Sequence, residues 1–127
     1  MPKQIYFWLA LIWTVVIAVL CLVSFGNLPN IRLSNIDKYV HLALHFIFTG
    51  LWFVYFSHKS NKFSDVKICI IVFLLSLFYG IGIEIMQALF TAARKADILD
   101  VCANTTGSLI ALSIIIIYQR FNFKNKI

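Results

Sequence analysis

The chain has 127 residues, 61% hydrophobic and 13% charged, with a mean hydropathy of +0.90 and a net charge of +6. A soluble domain of this length carries about a quarter charged residues, so the composition excludes an ordinary water-soluble domain and points to the bilayer, with length for one domain over residues 1–127 and not two. The basic excess then serves membrane topology and lipid headgroups, and it gives no reason to expect a nucleic-acid partner.

Four apolar runs follow in chain order. The first is 5–25, IYFWLALIWTVVIAVLCLVSF; the second is about 39–56, YVHLALHFIFTGLWFVYF. The third is 68–90, ICIIVFLLSLFYGIGIEIMQALF, and the fourth is about 98–119, ILDVCANTTGSLIALSIIIIYQ. Each is near the ~20 residues that cross a hydrocarbon core as a helix. Lipid offers no hydrogen bonds to the backbone, so the abundant Val, Ile and Phe do not argue for strands, and the expected fold is an all-α bundle of four transmembrane helices. The first run is too long for a signal-peptide core and has no small-x-small cleavage site, so it reads as a retained helix. Gly, Pro and Asn break the chain at 26–37, a polar basic loop covers 57–67, and the last two runs form a tight hairpin through about 91–96.

Four crossings put both termini and the 57–67 loop on one side. Lys3, Lys59, Lys62, Lys67, Arg120, Lys124 and Lys126 lie there, against Arg32, Lys38, Arg94 and Lys95 opposite. That asymmetry predicts cytoplasmic termini. Cys21, Cys69 and Cys102 have no metal-type spacing and read as small hydrophobes, although a Cys21–Cys102 bridge is conceivable. Trp8, Trp13, Trp52, Tyr39 and Tyr118 read as interface anchors or core aromatics, and Gly50 as a helix-contact glycine.

The polar residues are not scattered. Asp37, Lys38, His41 and His45 open the second helix, Glu84 and Gln87 close the third, and Asp97, Asp100 and Asn104 open the fourth, with Arg94 and Lys95 in the hairpin. All fall at one membrane depth, on the side opposite the termini. Asp37, His41 and His45 are spaced i, i+4, i+8, and Asp97, Asp100 and Asn104 run i, i+3, i+7, a stripe that Gly107 and Ser108 continue. A charge facing lipid costs roughly 3 kcal/mol at the bilayer centre, so these stripes should face one another around a wetted cavity.

Three chemical readings stay open. The groups could only satisfy each other, with Arg94 paired to Asp97 or Asp100 and Lys38 to Glu84. They could hold a divalent metal through Asp37, His41 and His45 on one stripe with Glu84 and Asp100 opposite, the i, i+4 His pair suiting Zn²⁺, though without the HExxH glutamate because Leu42 follows His41, and the carboxylates suiting Mg²⁺ or Mn²⁺. Or they could bind an anionic lipid headgroup, with Arg94 and Lys95 on phosphate and His41 and a carboxylate meeting sugar hydroxyls or exchanging protons. The ligand-contacting set is then Asp37, Lys38, His41, Glu84, Gln87, Arg94, Asp97, Asp100 and Asn104, and catalytic candidates are His41, Glu84 and Asp100.

DKYVH at 37–41, EIMQ at 84–87, Arg94, DILDVCAN at 97–104 and Gly107 together resemble the VanZ-like family of small bacterial membrane proteins. The resemblance covers about 37–107, and departs from the family pattern at TAA (91–93), where Pro or Gly is commoner, and at His45, where an aromatic residue is commoner. It implies a multi-pass protein of the bacterial cytoplasmic membrane and a link to tolerance of the glycopeptide teicoplanin, whose targets are outer-leaflet cell-wall precursors. It supplies no reaction. Expectations therefore divide among three: a pocket engaging an envelope lipid or lipid-linked precursor, an enzyme (hydrolase or transferase) acting on one, and a structural or regulatory partner of other membrane proteins.

Overall fold

The computed structural model describes residues 2–23, 34–60, 62–90 and 96–125, with the side chains of 34 and 35 excepted. Four helices account for nearly all of them: α1 Lys3–Leu22, α2 Ser34–Lys59, α3 Asp65–Phe90 and α4 Ile98–Asn125. No strand occurs among the described residues, and all four helices are long and apolar enough to cross a membrane. The helix ends differ from the apolar runs in an instructive way. α2 begins at Ser34 and α4 runs on to Asn125, because a helix extends past its apolar window into polar residues at the membrane surface.

The starts of α3 and α4 are written in side-chain caps. Ser64 Oγ accepts from Lys67 N (3.4 Å) ahead of α3, and Asp97 Oδ1 accepts from Leu99 N (2.9 Å) ahead of α4. Each oxygen occupies one of the backbone donors that a helix start leaves free. The far end of α1 is served from a neighbour, where Gln87 Nε2 of α3 donates to the Cys21 carbonyl at 2.7 Å.

The molecule is polar inside and greasy outside. Phe78, Leu89, Phe90, Ile98 and Phe123 are exposed, while His45, Gln87, Asn104, Thr49, Ser76 and Ser108 are among the most deeply buried side chains. A water-soluble bundle inverts that distribution, so this one is a multi-pass membrane protein whose solvent is lipid. Two apolar clusters close the remaining interior. Ile17, Cys21, Leu44, Phe48 and Ile83 join α1, α2 and α3, and Phe53, Ile68, Cys69, Val72 and Leu112 join α2, α3 and α4.

The aromatic residues separate by role. Trp13 Nε1 donates to the Leu44 carbonyl and Trp52 Nε1 to Thr14 Oγ1, so both tie α1 to α2, whereas Trp8, Tyr39 and Tyr118 face outward. Two expectations need correction. Gly50 has nothing within 4 Å of where a Cβ would stand, and the close helix approach is at Gly107, against the α2 backbone at Leu42. Cys21, Cys69 and Cys102 form no disulfide; Cys21 is buried and Cys102 exposed.

Candidate functional site

Three helices each contribute one stripe. α2 offers Asp37, His41, His45 and Thr49 at successive four-residue steps. α3 offers Ser76, Gly80, Glu84 and Gln87, all buried. α4 offers Asp100, Asn104, Gly107 and Ser108, also buried. Steps of three and four residues keep a side chain on one helix face, so each stripe points inward along its whole length. Gly107 lets α4 press onto α2 closely enough for the stripes to meet.

The stripes meet at two levels. In the upper one, Lys38 Nζ lies 3.5 Å from Asp97 Oδ2 and 3.9 Å from Asp100 Oδ1. Asp97 also donates its backbone N–H to Glu84 Oε2 at 3.1 Å, so this one residue caps α4, pairs with α2 and bonds α3. His41 Nδ1 is 3.1 Å from Asn104 Oδ1. A carbonyl oxygen only accepts, so Nδ1 carries the proton in that bond. His41 Nε2 then faces Asp37 Oδ1 at 3.9 Å and Asp100 Oδ2 at 3.8 Å. Three buried polar atoms here have no hydrogen-bond partner among the described residues: Glu84 Oε1, Asp100 Oδ1 and Asn104 Nδ2.

The lower level is a closed network. His45 Nδ1 bonds Ser76 Oγ at 2.8 Å, Ser76 Oγ bonds Ser108 Oγ at 2.6 Å, and Thr49 Oγ1 donates to Ser108 Oγ at 2.9 Å. All four side chains are buried. Satisfied polar networks of this kind hold membrane helices together and ask for no ligand.

Asp37, Lys38, His41, Glu84, Asp97, Asp100 and Asn104 thus share the upper level. Gln87 Nε2 donates to the α1 carbonyl of Cys21, and His45 belongs to the lower network. Of the residues expected around a metal, Asp37, His41 and Asp100 have ligand atoms within 4.8 Å of one another, while His45 bonds Ser76. Lys38 pairs with Asp97 and Asp100 in place of the expected Glu84. Arg94 and Lys95, expected to contact phosphate, lie outside the described residues. Composition and motif do not single out Thr49 and Ser76. Their signal was spacing: Thr49 continues the α2 stripe one turn past His45, and Ser76 stands two turns before Glu84.

The chain is 25% identical over 122 residues to the uncharacterized protein C11E3.10 of Schizosaccharomyces pombe, an alignment covering 94% of this chain and 72% of the yeast protein. No solved structure matches it. The family model VanZ/LLP1 matches residues 8–119, a stretch that takes in every stripe described above. The chain belongs to the VanZ/LLP1 family.

Proposed function

We propose that the upper polar level is a binding site for the charged headgroup of an envelope lipid or lipid-linked cell-wall precursor, and that through it the protein contributes to tolerance of glycopeptides such as teicoplanin in a bacterial cytoplasmic membrane. The observation that carries this reading is the trio of buried atoms without a hydrogen-bond partner among the described residues. An unmade bond at a buried carboxylate or amide costs about 1–3 kcal/mol, so a ligand that completes these atoms is favoured there. Glu84 Oε1 accepts from a sugar hydroxyl or an ammonium and Asn104 Nδ2 donates, while Asp100 Oδ1 already faces Lys38 Nζ at 3.9 Å. Arg94 and Lys95, next to Asp97 in the chain, supply the phosphate contacts. The seven basic residues on the terminal side against four opposite support termini in the cytoplasm and a site beneath the outer leaflet. The glycopeptide link and the bacterial setting rest on the family resemblance; the yeast relative shows that such chains also occur outside bacteria.

The test is lipid retention together with phenotype. The purified wild-type chain should carry anionic envelope lipid through detergent exchange, measured by native mass spectrometry. Glu84→Gln and Arg94→Gln should each lower that retention several-fold and remove any tolerance conferred on a host, while membrane insertion stays intact. Unchanged lipid and unchanged tolerance in both variants would defeat the proposal.

A second reading draws on His41. Its Nε2 faces two carboxylates while Asn104 fixes the ring, which is the posture of a general base, and Glu84 is the alternative base. Turnover of a labelled polyprenyl-phosphate substrate by the wild-type chain, lost in His41→Gln, would establish an enzyme; its absence favours binding alone.

A further inference from the structure

We infer that Asp37, His41 and Asp100 form a binding site for one divalent transition-metal ion, Zn²⁺ or Mn²⁺. The inference stands apart from the headgroup reading, since an ion needs no lipid to occupy this place.

The geometry begins at His41. Asn104 Oδ1 accepts the Nδ1 proton, and in the neutral form of the ring that bond leaves the lone pair on Nε2. That lone pair faces one oxygen each of Asp37 and Asp100, at 3.9 and 3.8 Å. A divalent ion between the three atoms would turn their mutual repulsion into coordination. The separations are too long for hydrogen bonds. They are close to the edge of a tetrahedral metal site, about 3.4 Å for bonds of about 2.0–2.1 Å. The outer bond from Nδ1–H to an amide oxygen is the arrangement that orients metal-bound imidazoles.

A second observation points the same way. Glu84 is 3% exposed, its Oε1 has no hydrogen-bond partner among the described residues, and it interacts electrostatically with both Asp100 and His41. A buried carboxylate oxygen of that kind can bond a water on the ion or complete the coordination. Lys38 approaches Asp100 Oδ1, leaving Oδ2 for the ion. One imidazole with two carboxylates is a borderline donor set that favours Zn²⁺ or Mn²⁺ over Mg²⁺ or Ca²⁺. Asp37 is partly exposed, which gives the ion a way in.

The experiment uses the full chain in detergent, stripped with chelator and titrated separately with Zn²⁺ and Mn²⁺ by calorimetry. One equivalent is expected, insensitive to excess Mg²⁺. Asp37→Asn and His41→Gln should each abolish that uptake, Asn104→Leu should weaken it by about tenfold, and Asp65→Asn, at the start of α3, should leave it unchanged. Should the His41 variant misfold, the wild type still decides: Mn²⁺ electron paramagnetic resonance should show hyperfine coupling to ¹⁵N-labelled histidine. No stoichiometric uptake of either ion, uptake unaffected in both ligand variants, or no histidine coupling would each overturn the assignment. An imidazolium ion-paired with the two carboxylates gives the first of those results.

Discussion

Replacing Gly107 with alanine should destabilise the bundle more than any other single-methyl change in the chain. A Cβ at this position would fall well inside contact distance of the Leu42 carbonyl oxygen, and only 3.0 and 3.2 Å from the Leu42 carbonyl carbon and Cα. Those atoms are backbone and cannot rotate away, so α2 and α4 have to move apart. Between membrane helices, close packing and interhelical hydrogen bonds are the main attraction, because lipid is as apolar as the side chains it replaces. Separation would stretch the Thr49–Ser108 and His41–Asn104 bonds, which sit on the same two helices within a turn or two of the contact. Overpacking of this kind costs about 1–3 kcal/mol. Thermal unfolding of the purified protein should show a lower midpoint for Gly107→Ala. Gly82→Ala is the control: nothing lies within 4 Å of its would-be Cβ, so its midpoint should hold or rise slightly. Equal effects of the two substitutions would mean that the α2–α4 approach is not as close as described.

Removing the Lys38 charge should be the most damaging change within the polar cluster. Its ammonium is the only cation among the described residues near Asp97 and Asp100, and the Asp100 side chain is 8% exposed. With methionine at 38, Asp100 stays ionised beside Asp37, Glu84 and Asp97, or takes up a proton at a cost in free energy. Breaking a fully buried pair costs about 3–5 kcal/mol. Lys38 is 30% exposed and 3.9 Å from Asp100, so water and distance reduce the expected loss to about 1–3 kcal/mol. The sign of the companion variant is the sharper test. Lys38→Met with Asp100→Asn should recover most of the lost stability, measured in chelator so that metal plays no part, because the stranded charge is gone. If Lys38→Met unfolds at the wild-type temperature, or the double variant is worse than the single, the carboxylates are not crowded as the geometry places them.

The four helices were legible because lipid leaves the backbone no choice: apolar runs of spanning length have to be helical whatever their propensity. Their polar faces were legible for a related reason. Asp37, His41, Glu84, Asp100 and Asn104 are too costly to turn toward acyl chains, so helical spacing alone says that they face inward. Partner choice was less legible. Whether Lys38 meets Glu84 or Asp97 depends on helix rotation and on Asp97 standing at the α4 cap, which brings its carboxylate toward α2 while its N–H turns to Glu84. His45 went to Ser76 because it lies one turn deeper than His41, level with a hydroxyl that a serine in a greasy helix does not advertise. Gly107 stands on the polar stripe of α4, whereas Gly50 follows the α2 stripe by one residue. The crossing of α2 and α4 puts Gly107 in the contact.

The central claim is that these side chains make one place where something other than the protein itself binds. It is tested most directly by an experimental structure of the chain grown from a lipidic mesophase without added ligand. The account predicts non-protein density between α2, α3 and α4, within hydrogen-bonding or coordination distance of Glu84 Oε1, Asp100 Oδ1 or His41 Nε2. Glu84 and Asp100 turned toward acyl chains, or His41 standing more than a helix diameter of roughly 10 Å from both, would contradict it.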